Sequence, residues 1–147
     1  MLKTILAIVF IFLLQEKTLV EINNPWVRVA AKGMNSALYF EVENNLTKPD
    51  TLYNAKCDLA EIVEIHETFT QGDRMGMRRI EFVEIEPGTK FQFRPRAHHI
   101  MLIGLKEELE EGKEIPVFLY FKESGEVKLR AVVRKMMWKG VVYTPFH

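Results

Sequence analysis

Short stretches of β-branched and aromatic residues, separated by turn signals, follow one another along the chain after Val20. Such stretches predict strands, and their spacing is typical of an all-β sandwich or barrel. The sequence shows no alternation of strands with ten-residue helices, which disfavours a doubly wound parallel fold. The predicted strands are residues 26–30, 37–42, 51–57, 62–69, 75–83, 91–93, 98–103, 117–121 and 127–133.

Alternation within two of these strands separates polar from apolar side chains. Successive side chains of a strand point to opposite faces, so His66 lies on the more polar face of 62–69, opposite to Ile65. In 98–103 the same rule puts His99 and Met101 on one face and Ile100 on the other. The pattern therefore predicts an imidazole and a thioether side by side on one strand.

Turn signals connect the strands. Residues 71–73 predict a hairpin that puts His66 and Met77 on neighbouring strands or on the loop rim between them, and a second hairpin is expected across Ser124-Gly125. Residues 86–89 fit a type II turn, in which Pro occupies the first central position and Gly supplies the positive φ at the second. A further turn is predicted at Gly104, after the strand that carries His99.

The first 20 residues have the pattern of a secretory signal. Lys3 precedes ten apolar residues, Ile5 to Leu14. At 1.5 Å per residue such a helix is too short for a hydrocarbon layer about 30 Å thick. We therefore expect an exported, periplasmic protein, and an uncleaved N-terminal membrane anchor is the alternative, because no small-x-small cleavage site follows. The only cysteine, Cys57, is far downstream, which argues against lipid attachment after the signal.

Composition and charge indicate a single globular domain. The chain has 147 residues, of which 48% are hydrophobic and 27% charged, and its formal net charge is zero. We expect the domain at 21–135 and a C-terminal tail at 136–147. Basic residues form no cluster beyond Arg78-Arg79, so the sequence lacks the electrostatic signature of a nucleic-acid-binding protein.

Candidate metal ligands recur at a defined spacing. His66 is followed after ten residues by Met77, after twenty-one more by His99 and after one more by Met101. Two imidazoles and two thioethers are neutral donors, and soft sulfur favours Cu(I). Structural zinc sites do not use thioethers, and a blue copper centre needs a cysteine, which Cys57 does not supply at the required place. A histidine beside a core methionine is the simpler interpretation of the pair His99 and Met101 alone.

The complete spacing resembles that of the periplasmic copper(I) chaperone family PCu(A)C. The similarity covers about 22–133, with further points at Trp26-Val27-Arg28, Leu38-Tyr39-Phe40 and the segment 99–102. The resemblance implies a cupredoxin-like Greek-key β-sandwich that binds Cu(I). It implies a carrier and not an enzyme, with delivery of Cu(I) to an apo acceptor such as the copper centre of a cytochrome c oxidase subunit. The implied metal ligands are His66, Met77, His99 and Met101.

Other interpretations of the same residues stay open. Met75 and His98 are the nearest substitutes for the ligands, Glu67 is a candidate to orient His66, and Cys57 fits a small buried hydrophobe. The tail offers a weaker second copper site at Met136, Met137 and His147. Two other functions compete with the carrier: an exported β-sandwich for adhesion or assembly without a metal role, and a copper enzyme that uses Glu67.

Overall fold

The computed structural model describes residues 19–138 and 141–142. The predicted signal or anchor at 1–20 therefore lies outside the described residues except for its last two positions, as does much of the tail. The described strands are β1 (Val20–Arg28), β2 (Ser36–Asn44), β3 (Asp50–Lys56), β4 (Ala60–Gln71), β5 (Arg74–Arg79), β6 (Val83–Ile85), β7 (Lys90–Phe93), β8 (His99–Leu105), β9 (Glu114–Phe121), β10 (Gly125–Arg134), β11 (Met137–Trp138) and β12 (Val141–Val142).

Hydrogen bonds join ten of these strands into one sheet, and nine of them form a continuous path. Its order is β5-β4-β8-β2-β1-β10-β9-β3-β6, and β7 pairs with the second half of β2. The pairing of β1 with β10 is parallel, and the other pairings on the path are antiparallel. The all-β prediction is confirmed. No helix in the described part of the chain has the length and apolarity needed to span a bilayer.

One hydrophobic core is shared by strands from both ends of this path. Ile65 and Ile100 come from β4 and β8, while Leu52 and Leu119 come from β3 and β9, and all four belong to one cluster of buried side chains. Apolar side chains from two layers of strands thus pack against each other, which is how a sandwich buries one face of each layer. The other face of β4 and β8, which carries the residues next to Ile65 and Ile100 in sequence, does not face this core.

The structure corrects the predicted turn at Gly104. Strand β8 continues to Leu105, which pairs with Ala60 of β4. Gly104 adopts a φ of 66° and donates its backbone N–H to Asn35 Oδ1 at 3.0 Å. The left-handed glycine therefore makes a local irregularity within the strand and does not reverse the chain.

Two predicted strands differ from the structure by more than a small shift of their ends. Strand β1 begins at Val20 and not at residue 26, because a register shift between Asn23 and Trp26 accommodates Pro25 within its pairing with β2. The predicted strand 75–83 is divided into β5 and β6, which pair with different partners, β4 and β3.

The other turn predictions are confirmed. The hairpin of β4 and β5 closes across 71–73, and Phe121 pairs with Gly125 in the last hairpin. In the turn at 86–89, Gly88 has a φ of 69° and Thr89 donates its N–H to Glu86 O at 3.4 Å.

Candidate metal centre

The two candidate imidazoles face each other across a strand pair. His66 of β4 and His99 of β8 are directly opposed in the antiparallel register. Their ring centroids lie 5.8 Å apart, with an interplanar angle of 56°. His66 and His99 are 33 positions apart in the sequence, but strand pairing brings them face to face.

The same register places the two methionines on the same face of the sheet. Met101 follows His99 by two positions and is opposed to Glu64, and Met77 of β5 is opposed to Thr68. Directly opposed residues share a face, as do residues two apart on one strand. The four predicted ligands therefore lie on the outer face of three adjacent strands. Met101 is half-buried beside His99, whereas Met77 is 59% exposed on the outermost strand.

Hydrogen bonds fix one nitrogen of each imidazole. His66 Nε2 lies 2.7 Å from Glu64 Oε2, and His99 Nδ1 lies 3.0 Å from the carbonyl oxygen of Ala97. Carboxylate and carbonyl oxygens accept hydrogen bonds, so these two nitrogens carry the protons. In the neutral form of each ring, the other nitrogen, Nδ1 of His66 or Nε2 of His99, has the free lone pair.

Those two nitrogens are the polar atoms that make the site a candidate for a metal. Both are buried, and neither has a hydrogen-bond partner in the described part of the chain. A buried polar atom without a partner costs free energy and calls for an explanation such as an unseen ion. Two metal–nitrogen bonds of about 2 Å each, together with the imidazole rings, span about 6 Å between ring centroids. The observed 5.8 Å fits one ion shared by both rings.

Aromatic side chains flank His99 on the side away from His66. The ring of Tyr39 lies 6.3 Å from that of His99, and the ring of Trp26 lies 4.6 Å from that of Tyr39. Tyr39 is buried, and its desolvation raises the pKa of its hydroxyl, an effect that the charge of Arg28 opposes. The aromatic pair keeps water away from His99, which is only 3% exposed.

The pKa of His99 is lowered from its ordinary value. Burial is the main cause because it disfavours the charged imidazolium, and the hydrogen bond to Ala97 O opposes the shift. The nearby His66, His98 and Arg28 lower the pKa further. A neutral imidazole is the form that binds a metal, so this environment keeps His99 ready for a metal at pH values where an ordinary histidine begins to protonate.

The lowered pKa makes the stability of the metal-free protein dependent on pH. Below about 6.5 the histidine of the unfolded chain takes up a proton while folded His99 stays neutral. The unfolded state then binds more protons, so the free energy of unfolding should fall as pH decreases from about 7 towards 5. Urea unfolding at pH 7.5 and 5.5 should show a smaller loss for His99→Gln than for the original protein. Equal losses would contradict this contribution of His99.

The structure also places the residues that compete with the predicted ligands. His98 points away from the site, with its ring 5.1 Å from Phe91 and its Nε2 3.5 Å from Glu67. Glu67 pairs with Arg78 at 2.6 Å, so it does not orient His66. Met75 is opposed to Thr70, two residue pairs farther from His66 than Met77.

Two further predictions concern the cysteine and the C-terminal tail. Cys57 is buried, as expected of a small apolar residue, and burial is the main cause that raises the pKa of its thiol. Met136 is described, but the side chain of Met137 and all of His147 lie outside the described residues, so the tail site stays a prediction.

Sequence reasoning missed Glu64, Ala97 and Tyr39 as partners of the imidazoles. Glu64 precedes His66 by two positions, and the alternation of a strand already puts such a pair on one face. The other two contacts depend on the loop before β8 and on the pairing of β2 with β8, which residue types alone do not reveal. Within the described ranges, no group of three or more His, Cys, Asp or Glu side chains is arranged to hold a metal ion.

Fold and site together define a domain of the PCuAC type, a cupredoxin-like β-sandwich with a histidine pair and methionines on an outer face. Residues 20–133 match the family described as "Putative lipoprotein LpqE-like", and the chain belongs to this family. A related protein, "Putative lipoprotein Lxx21020" of Leifsonia xyli subsp. xyli (strain CTCB07), is 31% identical over 107 residues, which are 72% of this chain and 64% of that protein. The chain spans less than two thirds of the length of the curated relatives it matches.

Solved PCuAC structures share the fold. The copper-bound PCuAC domain from PmoF2 superposes with a TM-score of 0.68 at 24% identity, covering 80% of this chain and 94% of that domain. The solution structure of CuI-DR1885 from Deinococcus radiodurans has a TM-score of 0.60 at 25% identity and covers 78% of each chain. The predicted resemblance to PCu(A)C and the cupredoxin-like fold are confirmed.

Proposed function

We propose that the protein is a copper carrier that binds one Cu(I) through His66, Met77, His99 and Met101 and passes it to another protein. The observation that carries this proposal is a pair of buried nitrogens, His66 Nδ1 and His99 Nε2, on rings 5.8 Å apart, for which the described residues offer no hydrogen-bond partner. Thioether sulfur on the same face adds the soft donors that Cu(I) prefers. The copper is cargo in this proposal, and the protein has no catalytic step to perform.

The unequal exposure of the donors suits a carrier. His99 is 3% exposed, whereas Met77 is 59% exposed on the outermost strand of the path. An acceptor can therefore displace the exposed thioether first while the imidazoles still hold the ion. Stepwise exchange of ligands lets the protein bind firmly and yet release its cargo without a free ion.

The comparisons support copper as the cargo. DR1885 is described with Cu(I), and this chain is 25% identical to it over most of the domain. We infer an acceptor with an assembling copper site, such as that of a cytochrome c oxidase subunit, from the resemblance to PCu(A)C proteins. Transfer of Cu(I) from the loaded protein to such an acceptor is the reaction to look for.

We place the protein outside the cytoplasm. The charged and then apolar start of the sequence and the family's description as lipoprotein-like support export. A thioether does not form disulfides, so the proposed donor set suits an oxidising compartment such as the periplasm. The single cysteine, Cys57, is buried in the sandwich and is not a site for lipid attachment there.

Titration of the purified protein with Cu(I) in the presence of a competing chelator tests the carrier function. We expect about one Cu(I) per chain to be withdrawn from the chelator, because one histidine pair is available on the outer face. An unrelated β-sandwich protein without this His and Met arrangement serves as the control. Uptake no greater than that of the control would contradict the proposal and favour the adhesion or assembly module, and turnover of a substrate by the copper-loaded protein would favour the enzyme.

A further inference from the structure

We propose that Glu64 is a positioning residue that holds His66 with its proton on Nε2, so that Nδ1 is the nitrogen presented to copper, whereas the Ala97 carbonyl imposes the opposite tautomer on His99. This inference rests on the carrier function proposed above. It adds a residue outside the predicted ligand set and assigns a different donor atom to each of the two imidazoles.

The position of Glu64 follows from strand geometry. Glu64 and His66 are two residues apart on β4, so their side chains share the outer face, and Glu64 Oε2 lies 2.7 Å from His66 Nε2. Both side chains are largely shielded, with 23% of Glu64 and 14% of His66 exposed. Glu64 is also opposed to Met101. Glu64 thus contacts one predicted ligand and is paired with the strand position of another, without being a predicted ligand itself.

Glu67 provides the contrast that makes this role specific. It is one residue beyond His66, its side chain is 24% exposed, and it pairs with Arg78 and His98 on the other face of β4. Two carboxylates on the same strand, with similar exposure, therefore have different partners. Only Glu64 contacts an imidazole of the candidate site among the ion pairs of the described residues.

The opposite tautomer of His99 is fixed by the backbone. The carbonyl oxygen of Ala97 accepts from His99 Nδ1 at 3.0 Å and also from the backbone N–H of Thr68 at 3.2 Å. The loop that carries Ala97 contains Arg96 in the left-handed region, with a φ of 66°. Because Thr68 of β4 holds this carbonyl in place, the donor nitrogen of His99 is oriented before any metal arrives.

The charge of Glu64 gives the arrangement an energetic consequence. A carboxylate that accepts a hydrogen bond from a metal-binding imidazole raises the basicity of that ligand, and loss of such a partner typically weakens metal binding 10- to 100-fold. A bound Cu(I) carries one positive charge, which the carboxylate of Glu64 balances within the same half-buried patch. The donors themselves are neutral, so Glu64 supplies the balancing negative charge next to them.

Nuclear magnetic resonance of the copper-free protein tests the tautomers directly. Long-range ¹H–¹⁵N spectra at pH 8 distinguish a protonated from an unprotonated nitrogen in each ring. We expect the proton of His66 on Nε2 and that of His99 on Nδ1. In Glu64→Leu the tautomer of His66 should become mixed, while that of His99 should not change. A proton on Nδ1 of His66 in the original protein, or an unchanged His66 spectrum in Glu64→Leu, would overturn the assignment.

Cu(I) affinity supplies the second measurement. We expect Glu64→Leu to bind Cu(I) about 10- to 100-fold more weakly. Glu64→Gln should be intermediate, because its amide oxygen still accepts the hydrogen bond but its charge is lost. Glu67→Leu removes a similarly exposed carboxylate from the same strand. Its Cu(I) affinity should stay within about threefold of that of the original protein, because Glu67 contacts no predicted copper ligand. Equal losses for Glu64→Leu and Glu67→Leu would contradict a positioning role.

The two measurements separate this inference from the carrier function. The tautomers are read in the protein without copper, so they decide the role of Glu64 even if the original protein takes no Cu(I) from the chelator. That failure would overturn the carrier function alone. Strong Cu(I) uptake with an affinity that does not depend on Glu64 would overturn the present inference alone.

Discussion

His99→Ala is expected to weaken Cu(I) binding by more than about 100-fold. Loss of a ligand should cost more than loss of a residue that only hydrogen-bonds to a ligand. The substitution removes Nε2, one of the two buried nitrogens without a partner in the described residues. Since His99 is directly opposed to His66, no other imidazole on β8 can take its place on the outer face. Competition with a Cu(I) chelator measures the loss, and thermal unfolding shows whether the variant is still folded.

His98→Ala is the matched control for this substitution. The two histidines are adjacent in sequence, but the ring of His98 packs against Phe91 and Phe93, with centroids 5.1 and 6.2 Å away. The Cu(I) affinity of this control should therefore stay within about threefold of that of the original protein. Loss of a residue that is hydrogen-bonded to a ligand would weaken binding about 10- to 100-fold. Equal losses in the two variants would show that the ligand assignment is wrong.

The sulfur ligands are tested in the same way. Met101→Leu conserves an apolar side chain of nearly the same volume, which costs little packing energy, while it removes the thioether. Cu(I) affinity should fall in this variant and also in Met77→Leu. Met75→Leu is the control, because Met75 lies two residue pairs farther from His66 along β5 and is similarly exposed, at 57% against 59% for Met77. A loss with Met75→Leu that matches the other two would point to a different set of sulfur donors.

Much of the site's layout follows from the sequence because a strand has a simple period. Once 62–69 and 98–103 are identified as strands, the face of His66, His99 and Met101 is determined by alternation. The register that opposes His66 to His99 is not determined by the residue types. It depends on which strands pair, and β4 and β8 are separated in the chain by three other strands.

The fold differs from the prediction at places where the residue type alone does not determine the backbone conformation. Glycine with positive φ is common in turns, and it also occurs as an irregularity inside a strand, as at Gly104. Likewise β1 begins at Val20, ahead of the predicted start at residue 26, and a register shift between Asn23 and Trp26 interrupts its pairing with β2. In both places the pairing with a neighbouring strand decides the conformation, and that pairing is a tertiary interaction.

The sequence alone also does not predict which nitrogen of each imidazole carries the proton. The partner of His66 follows from alternation, because Glu64 and His66 share a face. The partner of His99 is a backbone carbonyl, and every residue has one. Only the conformation of the loop at Arg96 and the bond from Thr68 select Ala97 for this contact.

Ile100→Ala should destabilise the protein by about 2–5 kcal/mol, although Ile100 lies on the strand that carries the site. Ile100 lies between His99 and Met101 in sequence, but its side chain is fully buried in the common core with Ile65 and Leu38. Truncation removes apolar contacts and leaves a cavity, because neighbours on both layers of the sandwich are held by their own strands. Urea unfolding at pH 7.5 measures the change.

Ile103→Ala is the control for this experiment. It makes the same change of residue type on the same strand, so it shows how much of the loss in Ile100→Ala comes from core packing and how much from strand propensity. Ile103 is the same residue type on the same strand, but it is half-buried on the outer face and opposed to Ile62, which is 52% exposed. Its truncation should cost less than half as much as that of Ile100, since partial burial loses less apolar area. Below its unfolding transition Ile100→Ala should bind Cu(I) within about threefold of the original protein, because it changes no ligand or partner of a ligand. Alternate residues of β8 would then control stability and copper binding independently, whereas a large loss of affinity in Ile100→Ala would mean that core packing sets the spacing of the imidazoles.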